Sequence, residues 1–388
     1  MALFGRPLFR PGTLAWRRWQ NFRANRRAWW ALWIFAVLFT ISLFAEFVAN
    51  DRPLLVSWRG ELYVPVLRFY PETAFGGEFE TEADYTAPEV QCLIVTGGLD
   101  ACFDDPEGVL QDAEDGVVAG RPIEKGWILW PPIPYSYDTI NYDVVTAPSP
   151  PDARHWLGTD DQTRDVLARI IYGFRISTLF AFITVGVSSL IGITAGAAMG
   201  YYGGWIDLVF QRVTEIWANI PALYVIIIIS SLFTMNFTLL TVLVALFGWT
   251  ALVGVVRAEF LRARNFEYVR AAKALGVGDW KIMFRHVLPN AMVATLTMMP
   301  FLITGAIGTL TSLDFLGFGL PPSYPSLGEL ALQAKQNLQA PWLAFSAFVT
   351  LATMLSLLVF IFEGVRDAFD PRKTFAPARS ERTGEAAA

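Results

Sequence analysis

The chain has 388 residues, 54% of them hydrophobic and only 17% charged, with a formal net charge of -5. That is too apolar for an ordinary soluble domain, and the excess is gathered in runs long enough to cross a bilayer, which takes about 20 apolar residues per helix. Nucleic-acid binding is excluded as a main role, because the basic residues stand beside those runs, where the Lys/Arg bias of cytoplasmic loops already accounts for them.

Residues 1–28 hold seven arginines (Arg6, Arg10, Arg17, Arg18, Arg23, Arg26 and Arg27) and no acid. The apolar run Trp29 to Val48 follows. It is longer than a signal-peptide core and ends in Glu46-Phe47-Val48-Ala49-Asn50, without a small-residue cleavage pattern. It is read as an uncleaved first span over residues 29–49, with the basic N-terminal segment in the cytoplasm.

Residues 51–165 carry 22 Asp/Glu against 7 Lys/Arg. A long acidic loop is readily translocated, so residues 50–165 are expected outside as a small, ordered, partly irregular and partly β insert. Within it Tyr63–Tyr70 and Cys92–Thr96 are predicted strands or extended pieces, and the Pro-rich stretch Trp127–Tyr135 is predicted extended. Cys92 and Cys102 share this outward-facing loop and are expected to be bonded, with two free thiols as the alternative. His155 and His286, the only histidines, are far apart, so no metal site is expected.

Five further spans follow: Arg175 to about Met199, rich in small residues that let helices approach closely in lipid; Ile206 to Thr234, with a kink at Pro221; Phe237 to Val256; Ala291 to about Thr311; and Leu343 to Phe362. Charge supports the count. Arg257, Arg262, Arg264, Arg270, Lys273, Lys281 and Arg285 fall between spans four and five, while only Lys335 lies between five and six. Arg366, Arg372 and Lys373 follow span six. The expectation is an all-α polytopic protein of six transmembrane helices with both termini cytoplasmic.

The segment between spans four and five is the candidate functional site. Asn265 can cap a helix whose first turn holds Glu267, an acid well placed against the helix dipole. Ala271 and Ala272 are predicted to leave a bare patch on that helix, and Gly276 suits the left-handed residue that ends it. Asp279 can cap a second short helix, Trp280 to Val287, and Pro289 is predicted to break the chain before it re-enters the membrane. Composition alone is equally satisfied by a re-entry loop carrying positive-inside charge.

The spacing Ala271-Ala272, Gly276, Leu288-Pro289 resembles the cytoplasmic coupling motif of ATP-binding-cassette (ABC) import permeases. Arg270 stands where a Glu is common and His286 where an Ile is common, and both departures resemble the peptide and nickel branch. His155-Trp156-Leu157-Gly158-Thr159-Asp160 through Leu167, Asp314-Phe315-Leu316-Gly317-Phe318-Gly319-Leu320-Pro321-Pro322 and Ala340-Pro341-Trp342 resemble segments of the same branch. The resemblance covers about residues 155–370, and the long acidic insert is similar to that of Yej-type peptide permeases, associated with uptake of microcin C.

The resemblance implies a type I importer permease domain over residues 170–370, a coupling segment over 258–290 and a cytoplasmic tail over 371–388, in a bacterial inner membrane. It implies that Glu267, Arg270, Ala271, Ala272, Gly276, Asp279, Arg285, Leu288 and Pro289 serve a separate cytoplasmic ATPase subunit. Ala271, Ala272 and Gly276 would shape a helix that fits a groove, while Arg270, Lys273 and Arg285 would meet acidic positions or be positive-inside charge alone. Asp279, Leu288 and Pro289 would fix the angle of the turn. Further implied partners are a second, homologous permease, a periplasmic peptide-binding protein and membrane lipid. ATP and magnesium would belong to the ATPase, since no phosphate-loop pattern occurs in this chain.

Charged residues at membrane depth are functional candidates. Arg212 and Glu215, three apart in span three, are read as an interfacial salt bridge or a substrate contact. Asn219 and Pro221 either open backbone groups toward a path or only bend the helix, with the bend preferred. Glu46 and Asp314 lie near span ends and call for no special role. A transporter working without ATP would show matching interrupted helices in two repeats; a membrane enzyme would need a catalytic cluster within the spans. Neither pattern stands out, and a nickel or other small-solute permease of the same family is the nearer alternative.

Overall fold

The computed structural model describes residues 13–113, 117–118 and 121–369. Arg6, Arg10, Arg372, Lys373 and the 371–388 tail lie outside the described residues. In chain order the helices begin with α1 (Leu14–Ala24), α2 (Arg26–Leu43) and α3 (Ala45–Val48). The insert follows, with β1 (Leu55–Trp58), β2 (Glu61–Tyr63), α4 (Pro88–Thr96), α5 (Pro106–Asp112), β3 (Val117–Val118), β4 (Arg121–Pro122) and β5 (Trp127–Leu129). Then come α6 (Val166–Tyr202), α7 (Gly204–Ala218), α8 (Ala222–Leu232), α9 (Phe237–Gly248) and α10 (Thr250–Ala263). The chain closes with α11 (Glu267–Ala274), α12 (Asp279–Ile282), α13 (Leu288–Phe315), α14 (Leu327–Gln336) and α15 (Pro341–Phe369).

Five helical stretches are long and apolar enough to cross a membrane, and the α7–α8 pair makes a sixth if it is one span. Pro221 does more than bend that pair. The chain leaves the helix at Asn219–Pro221, and α7 and α8 meet at 63°. Proline cannot supply the N–H that the preceding turn needs. The Ile220 N–H takes the Trp217 carbonyl that residue 221 would have served, at 3.2 Å, and the Asn219 side-chain amide adds a bond to the Glu215 carbonyl at 2.7 Å. Arg212 and Glu215 do pair, at 2.5 Å, on an exposed face of α7.

Two compact units are distinguished among the described residues: residues 13–38, 177–321 and 349–369 in one, residues 39–176 and 322–348 in the other. In the second, β2, β1 and β5 form an antiparallel sheet in that order, with Val56 opposite Tyr63 on one side and Ile128 on the other. Phe75, fully buried, makes edge-to-face contacts with Trp58, Tyr63, Tyr70 and Tyr85, an arrangement that suits the negative face and positive rim of aromatic rings. The stretch Cys92–Thr96 is helical, not extended. Pro88 sits at the first helical position, Gly97 closes the helix with φ of +74°, and Val90, Leu93 and Ile94 are buried. Those end signals outweigh the β-branched composition between them. Of Tyr63–Tyr70 only the first residue belongs to a strand.

Cys92 and Cys102 are joined as a disulfide, both fully buried beside Leu93 and Leu99. Alkylation of the denatured chain without reductant is expected to leave both unmodified by mass; modification of both would contradict the bridge.

The same unit holds a buried charged cluster where α6 begins. The Asp160 carboxylate accepts the backbone N–H groups of Gln162 and Arg164 and the Arg164 Nε at 2.7 Å, with Arg169 Nε at 3.5 Å. Both guanidinium groups then reach the 322–324 loop: Arg164 donates to the Pro322 carbonyl at 3.0 Å and Arg169 to that of Tyr324 at 3.3 Å. His155 lies beside this cluster, its Nδ1 2.9 Å from Asp165 and its ring stacked on Tyr135. Glu46 has a partner after all, Arg175 at 2.9 Å.

Neighbouring Asp161 is less well served, with its Oδ1 buried and unpartnered among the described residues. Burial, and then the Asp160 carboxylate, hold its carboxyl above the usual range. A raised acid binds its proton more tightly folded than unfolded, so this group costs stability at neutral pH. The cost recedes as pH falls through the folded value toward the ordinary 3.8. Asp161→Asn is therefore expected to raise the melting temperature at neutral pH and to flatten its acid dependence, measured by thermal unfolding in detergent.

The first unit is a helix bundle. Gly192, Gly196 and Gly200 line one face of α6 at a spacing of four and let the backbone of α10 approach. An added Cβ would stand 2.5 Å from the Trp249 carbonyl, 2.8 Å from that of Val253 and 2.5 Å from the Phe260 Cβ, respectively. Arg257 and Asp207 form a two-pronged ion pair at 2.5 and 2.7 Å between α10 and α7. Asp314, near the end of α13, is buried and accepts the Leu320 N–H at 2.7 Å, and a Cβ at Gly319 would collide with its carboxylate. It shapes that turn.

Candidate functional site: an elbow between two membrane helices

Between α10 and α13 the chain makes an elbow. The helix α11 starts without the cap expected of Asn265. That side chain turns back to the Leu261 carbonyl at 3.4 Å, and Phe266 occupies the cap position with extended backbone. Glu267 remains in the first turn, where its charge suits the helix N-terminus. At the other end Gly276 has φ of +75°, its N–H bonds the Lys273 carbonyl, and the N–H of Val277 bonds that of Ala272. This paired pattern closes a helix through a left-handed residue, which glycine adopts without a Cβ penalty.

Gly278, not Asp279, caps α12, and Asp279 is its first residue. One wide turn, Met283–Val287, then joins α12 to α13, with the Leu288 N–H reaching back five residues to the Met283 carbonyl. Pro289 therefore does not break the chain. It lies in the first turn of α13, where a missing N–H costs little, and the wide turn carries the helix across. The stretch from Asp279 to Phe315 runs as one continuous span.

The elbow has two faces. Inward, Val269, Ala272, Ile282, Met283, Val287 and Ala291 pack against Ala197 and Tyr201 of α6 and Val256, Phe260 and Ala263 of α10, with Leu288 partly buried against them. Ala272 thus belongs to the core. Val269 and Ala272, three apart, set the inward face of α11, and only Ala271 of the alanine pair is exposed. Outward stand Glu267, Arg270, Ala271, Gly276, Lys281, Arg285 and Pro289. Arg270, Lys281 and Arg285 have no ion pair among the described residues. Space around Gly276 is open to 4 Å.

Three large apolar side chains on the outward face went unsingled in the sequence. Leu275 is 84% exposed, Trp280 is 68% exposed, and Trp280 stacks on Phe284 with centroids 4.8 Å apart. The signal was available: Leu275 and Trp280 flank the two glycines that end one helix and start the next. Exposed apolar side chains rimmed by unpaired cations form a surface suited to protein contact. Among the described residues no cluster of His, Cys, Asp and Glu could hold a metal ion. Deeper in the bundle, Thr184, Ser188, Gly248, Ala251, Gly305 and Thr309 line a cavity of about 220 Å³.

The family model described as the inner membrane component of binding-protein-dependent transport systems matches residues 192–375, and the N-terminal transmembrane domain of oligopeptide transport permease C matches residues 13–58. The chain is 52% identical to the peptidoglycan transport system permease protein YejE of Agrobacterium fabrum, over 95% of this chain and 96% of that protein. It is 52% identical to the inner membrane ABC transporter permease protein YejE of Escherichia coli, over 92% and 96%. The glutathione transport system permease protein GsiD of Pectobacterium atrosepticum is 34% identical over 61% of this chain and 79% of its own length.

Proposed function

The chain belongs to the inner-membrane permeases of binding-protein-dependent ABC importers, and within them to the Yej type; from that membership we propose that it carries peptides into the cytoplasm through the elbow's engagement with a separate ATPase. Its fold is that of a type I importer permease. The observation that carries the reading is the elbow itself. An apolar inner face fixes α11 and α12 to the bundle, while Leu275, Trp280, Arg270, Lys281 and Arg285 stay exposed.

In this reading ATP and magnesium sit on the ATPase, and this chain hydrolyses nothing. Closing of the ATPase pair displaces the elbow, and the helices that continue from it rearrange so that access alternates between the two membrane faces. Glu267, Arg270, Ala271, Gly276 and Arg285 line the contact. Ala272, Asp279, Leu288 and Pro289 hold its shape. A second, homologous permease completes the pathway, and a periplasmic binding protein delivers cargo. Both termini are placed in the cytoplasm with the elbow, following its excess of Arg and Lys.

Peptide cargo follows the relatives named above, which are permeases of peptidoglycan and glutathione transport systems. Microcin C-like peptides are the finer candidate. The test is uptake into proteoliposomes holding the complete complex, supplied with binding protein and ATP, across a panel of short peptides, glutathione and nickel. Accumulation of peptides that needs both ATP and binding protein supports the reading; uptake of nickel alone, or uptake without ATP, overturns it.

A further inference from the structure

The elbow is joined to α10 and α13 by the chain itself, but α6 reaches it only through side chains. Two polar contacts are made by one residue. The Tyr201 hydroxyl donates to the Asp279 carboxylate at 2.6 Å, and the Lys273 Nζ lies 4.7 Å from the centre of the Tyr201 ring. Arg264 adds a third, longer contact, its Nη1 3.5 Å from the Gly200 carbonyl. Tyr201 is 3% exposed, so its ring is locked in the core while its hydroxyl reaches the first residue of α12.

From Tyr201 the helix α6 continues into the bundle. Gly200, Gly196 and Gly192 hold it against α10 at backbone distance. Thirteen to seventeen residues beyond Tyr201, at about 1.5 Å per residue or roughly 20–25 Å away, Ser188, Val185 and Thr184 line the cavity shared with Phe301, Gly305 and Thr309 of α13. The same helix touches the elbow at one end and this cavity farther along. A packed helix transmits a displacement as a unit because core packing does not deform continuously.

We propose that Tyr201 is a positioning residue that makes α6 move with the elbow, carrying motor-driven displacement to the cavity between α6, α9, α10 and α13. This rests on the coupling role proposed above. The hydroxyl–carboxylate bond is charge-assisted and directional, which fixes register. Asp279 is exposed, so water replaces the hydroxyl when it is lost and the fold survives. Ring packing and the Lys273 contact need no hydroxyl, and Tyr201→Phe therefore separates positioning from packing.

The test uses the full complex in proteoliposomes and compares the wild type, Tyr201→Phe, Asp279→Ala, Asp279→Asn and the Tyr201→Phe/Asp279→Ala double variant. Three quantities are read: ATPase subunit recovered with the chain, ATP turnover without cargo, and peptide imported per ATP. Tyr201→Phe is expected to keep the first two and to lower the third by about threefold to tenfold, the span of one net hydrogen bond. Asp279→Ala is expected to lower import per ATP at least as far, the double variant to be no worse than Asp279→Ala alone, and Asp279→Asn, which keeps an acceptor oxygen, to recover most of the loss. Unchanged import per ATP in Tyr201→Phe overturns the proposal, as do losses that multiply in the double variant. A Tyr201→Phe chain that fails to assemble also overturns it, since the tyrosine would then be structural. If the wild type itself recovers no ATPase, the coupling reading fails first; if only the variants behave as wild type, the coupling reading stands and this inference falls.

Discussion

Leu275→Asp combined with Trp280→Asp is expected to leave insertion and bundle assembly intact and to cut recovery of the ATPase subunit with the tagged chain by at least about 100-fold in affinity. Both side chains are largely exposed, so replacing them costs the isolated chain little. In a docked complex each would be desolvated, and central apolar anchors of an interface contribute about 2–4 kcal/mol when truncated, where 1.4 kcal/mol is a factor of ten. Introducing carboxylates adds the cost of burying a charge opposite an apolar wall. Ala272→Asp is the informative contrast. Its side chain enters the core formed with Val269, Ile282 and Val287, so it should lower the yield of folded chain. Binding and folding losses are separated by size-exclusion profiles alongside the pull-down.

Asp160→Ala is expected to be the most damaging single change in the second unit, costing about 3–5 kcal/mol, the range for removing one partner of a buried ion pair. Asp160 and Arg169 are both 0% exposed, and Arg164 is nearly so. Without the carboxylate, two guanidinium groups remain in the interior with only carbonyl partners. The backbone N–H groups of Gln162 and Arg164 lose their acceptor as well. The 322–324 loop, held by those arginines, should then become open to limited proteolysis. Asp160→Asn keeps an acceptor oxygen and should be milder. Equal proteolysis of the wild type and Asp160→Ala would contradict the structural role assigned to the cluster.

The membrane helices were legible because an apolar run of bilayer length has few other uses, and the six runs read from the sequence correspond to the five long stretches and the broken α7–α8 pair. The elbow's existence was legible from its charge and from Gly276, whose left-handed conformation the sequence implies. Its rotation was not. Ala271 and Ala272 are chemically identical, and only the packing of Val269 and Ala272 on α6 and α10 decides which faces inward. Pro289 misled because proline reads as a helix breaker, although the first turn of a helix tolerates it. In the insert, Cys92–Thr96 looked extended by composition, while Pro88 and Gly97, both visible, marked the ends of a helix. The Tyr201–Asp279 contact joins residues 78 apart, and no local pattern announces it. Buried ion clusters such as Asp160 with Arg164 and Arg169 are likewise set by tertiary approach. Asp314 and Glu46 looked ordinary for the same reason.

The most direct measurement is at the elbow's exposed tip. With Cys92 and Cys102 bonded to each other, Leu275→Cys places one reactive thiol on this chain. That thiol is expected to alkylate rapidly in the isolated chain, to be strongly protected when the ATPase subunit is present, and to cross-link to that subunit through a short bifunctional reagent. Equal alkylation rates with and without the ATPase, and no cross-link to it, would contradict the claim that this elbow is where the motor takes hold.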